Sequence, residues 1–141
     1  MEVTIKEETP SPFDYNCLRK SVGWGEYDEA TIRAGLESTL YCVCAFDSAR
    51  IIGMGRVIGD GALCFYIQDI IVIPEYQRNA IGKMIMGNVM RFVASKAATN
   101  TVVGLMSAQG KERFYEGFGF TRRPAEALGS GMTLFWPGTG R

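Results

Sequence analysis

A junction near the middle of the chain constrains the fold most. It reads Ile70-Ile71-Val72-Ile73-Pro74-Glu75-Tyr76-Gln77-Arg78-Asn79-Ala80-Ile81-Gly82-Lys83. An apolar run of strand character ends at a proline, which has no N–H to give to a sheet ladder. A polar loop follows and opens a helix expected from about Ala80 to Lys96, with Ile81, Ile85, Val89, Phe92 and Val93 on one face. A further apolar run, Val102 to Met106, comes next. Strand, helix and strand in that order make a crossover unit whose two strands run parallel. The start of such a helix offers unpaired N–H groups and the positive end of the helix dipole, a ready site for phosphate. Arg78 and Lys83 add positive charge there, and Gly82 permits close approach. The same residues also fit an ordinary loop with a solvated basic rim.

The flanking segments read as follows. Val3 to Ile5 is a short strand, and Thr9-Pro10-Ser11-Pro12 turns the chain into a helix with Phe13, Cys17, Leu18 and Val22 on one side. Asp28 is an N-cap for a second helix carrying Ile32 and Leu36, with Leu40 continuing the spacing. Tyr41 to Phe46, Arg50 to Ile58 and Leu63 to Ile73 form an antiparallel meander, with a hairpin signal at Gly59-Asp60-Gly61. A short helix over Lys111 to Glu116 precedes a final hairpin, Phe118 to Arg122 with Met132 to Trp136. The expected architecture is α+β: a mixed, mostly antiparallel sheet of six to seven strands with about four helices, in one domain over residues 1–141.

Composition removes several function classes. Lys plus Arg and Asp plus Glu both number 15, so no basic excess exists to hold nucleic acid by bulk charge. Histidine is absent, which excludes a Ser-His-Asp triad, a Cys-His dyad, an HExxH zinc site and any histidine base. The cysteines, Cys17, Cys42, Cys44 and Cys64, form no CxxC, and Cys42 and Cys44 read as buried small side chains rather than metal ligands. No metal is expected. No signal-peptide pattern opens the chain and no uncharged stretch exceeds fourteen residues, so the expectation is a cytoplasmic protein without a membrane span.

The segment Val72-Ile73-Pro74-Glu75-Tyr76-Gln77-Arg78-Asn79-Ala80-Ile81-Gly82 resembles the acyl-coenzyme A loop of the GNAT acetyltransferase superfamily, V-x-P-x-x-[QR]-x-x-G-x-[GA]. Gln77 and Gly82 match, whereas Ala80 stands where the family usually has glycine. About thirty residues on, Arg113-Phe114-Tyr115-Glu116-Gly117-Phe118-Gly119-Phe120 is similar to the family's F-Y-E-x-x-G-F segment. The resemblance implies acetyl-CoA as co-substrate, its diphosphate on the amides of Gln77, Arg78, Asn79, Ala80, Ile81, Gly82 and Lys83. It also implies that the main chain of Ile70, Ile71 and Val72 pairs with the pantetheine and stabilises the oxyanion. Tyr115 becomes the general acid for the departing thiolate, as a phenol protonated at neutral pH. The family's base position is Gln68 here, and an amide is no base. Asp69 is left either as a base acting through water or as a structural carboxylate at a strand bulge. Glu26 and Glu116 are further carboxylates without positional support. Lys111 replaces an asparagine that contacts the coenzyme in many relatives, and reads either as a phosphate ligand or as a solvated lysine.

For the acceptor, the resemblance points to the first two helices and the end of the sheet, hence to Trp24, Tyr27, Met132 and Trp136, each of which also fits as packing. The leading expectation is acetyl transfer from acetyl-CoA to a primary amine of a small molecule by direct attack in a ternary complex. The alternatives are a non-catalytic acyl-CoA-binding regulatory module and a structural domain without ligand. A homodimer through the last strands stays open by family analogy.

Overall fold

The computed structural model describes residues 1–138. They fall into two compact units, Met1–Leu105 and the segment from Met106 onward.

The first unit holds one five-stranded sheet in sequence order: β1 (Val3–Lys6), β2 (Tyr41–Asp47), β3 (Arg50–Gly59), β4 (Cys64–Val72) and β5 (Val102–Gly104). The first three pairings are antiparallel and β4 with β5 is parallel, as the crossover through α3 (Ile81–Lys96) requires. Helix α1 (Pro12–Ser21) starts with Pro12 inside its first turn and Ser11 Oγ accepting from the Asp14 N–H at 3.1 Å. Helix α2 (Glu29–Glu37) has Asp28 as its N-cap, accepting from the N–H and hydroxyl of Thr31. The β3–β4 turn is organised by Asp60, whose carboxylate accepts from the amides of Ala62, Leu63 and Cys64.

The core sits under α3. Ile81, Ile85, Met86, Val89 and Val93 are buried over the sheet face that carries Val43, Ala45, Val57, Phe65 and Ile67. Two glycines permit that contact. A Cβ on Gly53 would lie 2.8 Å from the Ile71 carbonyl oxygen, and one on Gly55 would lie 2.7 Å from both Ile70 Cδ1 and Ile85 Cγ2. The glycines that interrupt the β3 pattern are therefore the places where the helix reaches the sheet.

The second unit holds α4 (Glu112–Glu116) and a long irregular segment. Here the expectation of six to seven strands fails: among the described residues the sheet has five. Phe118 to Arg122 does not form a strand, because the amides of Phe118, Gly119 and Phe120 fold back onto carbonyls of Tyr115 and Glu116, with Gly119 in the left-handed region. Met132 to Trp136 carries apolar side chains that are exposed, and among the described residues the second unit has one isolated bridge, between Ala125 and Leu128. The face of α1 also differs. Phe13 and Cys17 are exposed, and Tyr15 is buried beside Leu18. No helix among the described residues is long and apolar enough to cross a membrane.

Candidate active site

Strand β4 carries the site in two parts, a bulge in its interior and the loop at its end. Arg56 faces Gln68 and Met54 faces Ile71, so the single residue Gly55 opposes both Asp69 and Ile70. Asp69 takes φ 56°, the left-handed conformation of the extra residue in a bulge. Its side chain is fully buried, yet it is surrounded by donors. Tyr15 Oη and Arg56 Nε each donate to Oδ2 at 2.7 Å, and Arg19 Nη1 lies 3.6 Å from Oδ1, which has no hydrogen bond of its own. Burial and the neighbouring carboxylate push the Tyr15 phenol up to about 12. Asp69 is thus a carboxylate held between two guanidinium groups.

Arg19 carries this cluster out to the α1–α2 turn. Its Nε donates to the Gly25 carbonyl at 2.7 Å, and its guanidinium carbon lies 4.6 Å from the ring centre of Tyr27, 5.5 Å from Trp24 and 5.8 Å from Tyr15. Trp24 and Tyr27, expected as acceptor contacts, present ring faces to this cation. Asn16 fixes the same turn from α1, exchanging hydrogen bonds with the backbone N–H and C=O of Tyr27. Of the other carboxylates, Glu26 pairs with Lys20 and Glu116 takes both guanidinium arms of Arg122.

Beyond the bulge, no strand among the described residues pairs with the β5 side of β4: β5 pairs with Cys64–Tyr66, and the pairing does not continue along Ile67 to Val72. Ile71 is buried in the core, while Ile70 and Val72 are half-buried. The chain then makes one 3-10 turn at Pro74–Tyr76 and enters the loop. Gln77 uses its N–H on the Pro74 carbonyl and its side-chain amide on the Val72 carbonyl at 2.9 Å. Asn79 Nδ2 bridges the Tyr76 and Gln77 carbonyls. Arg78 and Ala80 both adopt the left-handed region, at φ 69° and 62°. Ala80 is the N-cap of α3 and gives it no side-chain hydrogen bond. The first helical bond runs from Met84 N–H to Ala80, so the amides of Arg78, Asn79, Ala80, Ile81, Gly82 and Lys83 have no partner among the described residues. Six of the seven expected amides are free, and that of Gln77 is taken. The side chains of Arg78 and Lys83 are exposed beside them.

In the second unit, Tyr115 lies on α4 with its ring edge-on to Phe114 and Phe120, at 5.1 and 6.4 Å between centroids. Burial pushes its phenol up to about 12. Lys111 caps the start of α4 and is exposed, and Met132 is 89% exposed. Sequence reading missed Tyr15, Arg19 and Arg56. Arg56, set among the apolar residues of β3, was the available signal, because a charge at a buried strand position calls for a partner.

A family model described as an acetyltransferase (GNAT) domain matches residues 20–135. An uncharacterised ycf52-like N-acetyltransferase from Prochlorococcus marinus is 30% identical over 111 residues, which cover 76% of this chain and 61% of that protein. The chain thus spans about three-fifths of that curated relative's length. A solved protein of unknown function from meticillin-resistant Staphylococcus aureus, given as a probable acetyltransferase, is 34% identical. It superposes with a TM-score of 0.88 over 95% of this chain and 99% of that one. The fold is shared at 16% identity and a TM-score of 0.67, over 96% and 97% of the two chains, with AAC(6')-Iy, solved in complex with the bisubstrate analogue CoA-S-monomethyl-acetylneamine.

Proposed function

Because the chain belongs to the GNAT family of acetyltransferases, we propose that it moves the acetyl group of acetyl-CoA to the primary amine of a small molecule, by direct attack in a ternary complex. The observation that carries this reading is the open edge of β4 running into six free amides at the uncapped start of α3. An extended pantetheine suits the first and a diphosphate suits the second. When bound, acetyl-CoA supplies an acyl group activated as a thioester.

The chain's own residues have four tasks. The amides of Arg78 to Lys83, with the side chains of Arg78 and Lys83, hold the diphosphate. Main-chain N–H groups of Ile70 and Val72 hold the extended arm and stabilise negative charge on the carbonyl oxygen, whereas that of Ile71 faces β3, in step with the Ile73 N–H that donates to the Ile52 carbonyl. Tyr115 returns a proton to the departing thiolate. Its raised pKa keeps the phenol protonated across the physiological range, which suits an acid and not a base. Asp69 sets the geometry of β4: a buried carboxylate tied to Arg56 and Tyr15 is placed to hold a bulge, and the amine loses its proton to water. Lys111, Trp24, Tyr27 and Met132 are assigned no step.

The test is a panel of amines assayed for thiol release, with Tyr115→Phe beside the wild type. The variant is expected to lose about 10²- to 10⁴-fold in kcat while keeping its affinity for acetyl-CoA. Thermal unfolding gives a cheaper check, because ligand at about 100 times its Kd adds about 2.7 kcal/mol of stability. No shift with millimolar acetyl-CoA would sink the reading.

A further inference from the structure

The buried cluster at the bulge does more than neutralise Asp69. Its two guanidinium groups go to different places. Arg56 stays within the sheet region, with Nε on Asp69 and Nη1 on the Thr39 hydroxyl at 3.2 Å. Arg19 is the side chain that touches both the bulge carboxylate and the α1–α2 turn. It meets the turn three times over, through the Gly25 carbonyl and the rings of Trp24 and Tyr27. Only a planar, multidentate cation makes these contacts together. A lysine ammonium has no Nε–H beside a second pair of donors and no flat face for the rings.

We propose that Arg19 is a positioning residue that couples the Gly23–Asp28 turn to the β4 bulge, so that a ligand on the open edge of β4 and an acceptor amine against the turn each feel the other's presence. This rests on the acetyl-CoA reading above. Coupling between two sites is reciprocal: if acetyl-CoA orders the bulge, it orders the turn through Arg19, and it tightens amine binding by the same factor as the amine tightens acetyl-CoA.

Hydrogen–deuterium exchange of the wild type, Arg19→Lys and Arg19→Met tests this. In the wild type, acetyl-CoA should slow exchange at residues 70–83 and also at residues 23–28. In both variants the first protection should persist and the second should vanish. With an amine that the wild type acetylates, Arg19→Lys should raise the amine KM about fivefold or more, in the range typical of site coupling. The KM for acetyl-CoA at saturating amine should rise by about the same factor, while its Kd measured without amine stays within about twofold. A merely structural role would lower the melting temperature of the variants yet leave the response of the turn in place. Turn protection in the wild type that survives in Arg19→Lys overturns the proposal. Protection at 70–83 without any in the wild-type turn does so as well, and leaves the acetyl-CoA reading standing. Absence of protection at 70–83 in the wild type overturns both.

Discussion

The bulge and the loop lie on the same strand and are specified in opposite ways. The bulge is fixed by side chains: a buried carboxylate takes a phenol from α1 and a guanidinium from β3, with a second guanidinium from α1 beside it. The loop is fixed by backbone, with two non-glycine residues in the left-handed region, two side-chain amides closing on carbonyls, and its remaining donors turned outward. Side-chain substitution in the first region should therefore cost stability, whereas in the loop, whose donors are backbone amides, it should not.

The sharpest way to break this comparison is Asp69→Asn. Removing the charge leaves two buried guanidinium groups uncompensated, a change that typically costs about 3–5 kcal/mol. Urea unfolding measures it, and a loss under about 1 kcal/mol would mean that the cluster does not hold the bulge. Next comes Gly55→Ala, opposite the bulge. Its new methyl would press on Ile70 and Ile85 at 2.7 Å, an overpacking worth about 1–3 kcal/mol against stability.

Smaller effects belong to the loop and to the phenols. Ala80→Gly relieves a left-handed alanine and should stabilise the fold by about 1 kcal/mol, read as a raised melting temperature. The phenols of Tyr15, Tyr41 and Tyr115 are all pushed up to about 12, chiefly by burial. Each binds its proton more tightly folded than unfolded. Their contribution is intact below the ordinary tyrosine value near 10 and is lost as pH rises through about 12. Stability near neutral pH should not vary on their account, and the melting temperature should fall between pH 10 and 12, less steeply in Tyr115→Phe.

The sequence made the loop legible and gave the bulge only as one of two readings of Asp69. Pro74 stops a strand whatever surrounds it, and the spacing of Ile81, Ile85 and Val89 marks the buried face of α3. Alternation of buried Phe65, Ile67, Asp69, Ile71 and Ile73 passes straight through the bulge, so the extra residue leaves no break in the pattern. Only the carboxylate in an apolar series, matched by Arg56 on the neighbouring strand, betrays it. Phe13 misled for a related reason. Spacing favoured it for the core, but α1 turns Tyr15 inward, where the carboxylate needs a donor. The last hairpin failed because alternation describes one face of a segment and says nothing of a neighbour to pair with. Phe118 to Phe120 instead closes on the end of α4.

The placement of the cysteines bears on how turnover is measured. Cys42 and Cys44 lie inside β2, where the neighbouring Cys42 thiol and then burial push the Cys44 thiol up, while Cys17 and Cys64 are exposed. A colorimetric reagent that counts sulfhydryls will therefore register two per native chain before any coenzyme is released. Protein stocks with Cys17 and Cys64 changed to serine would give that assay a flat baseline.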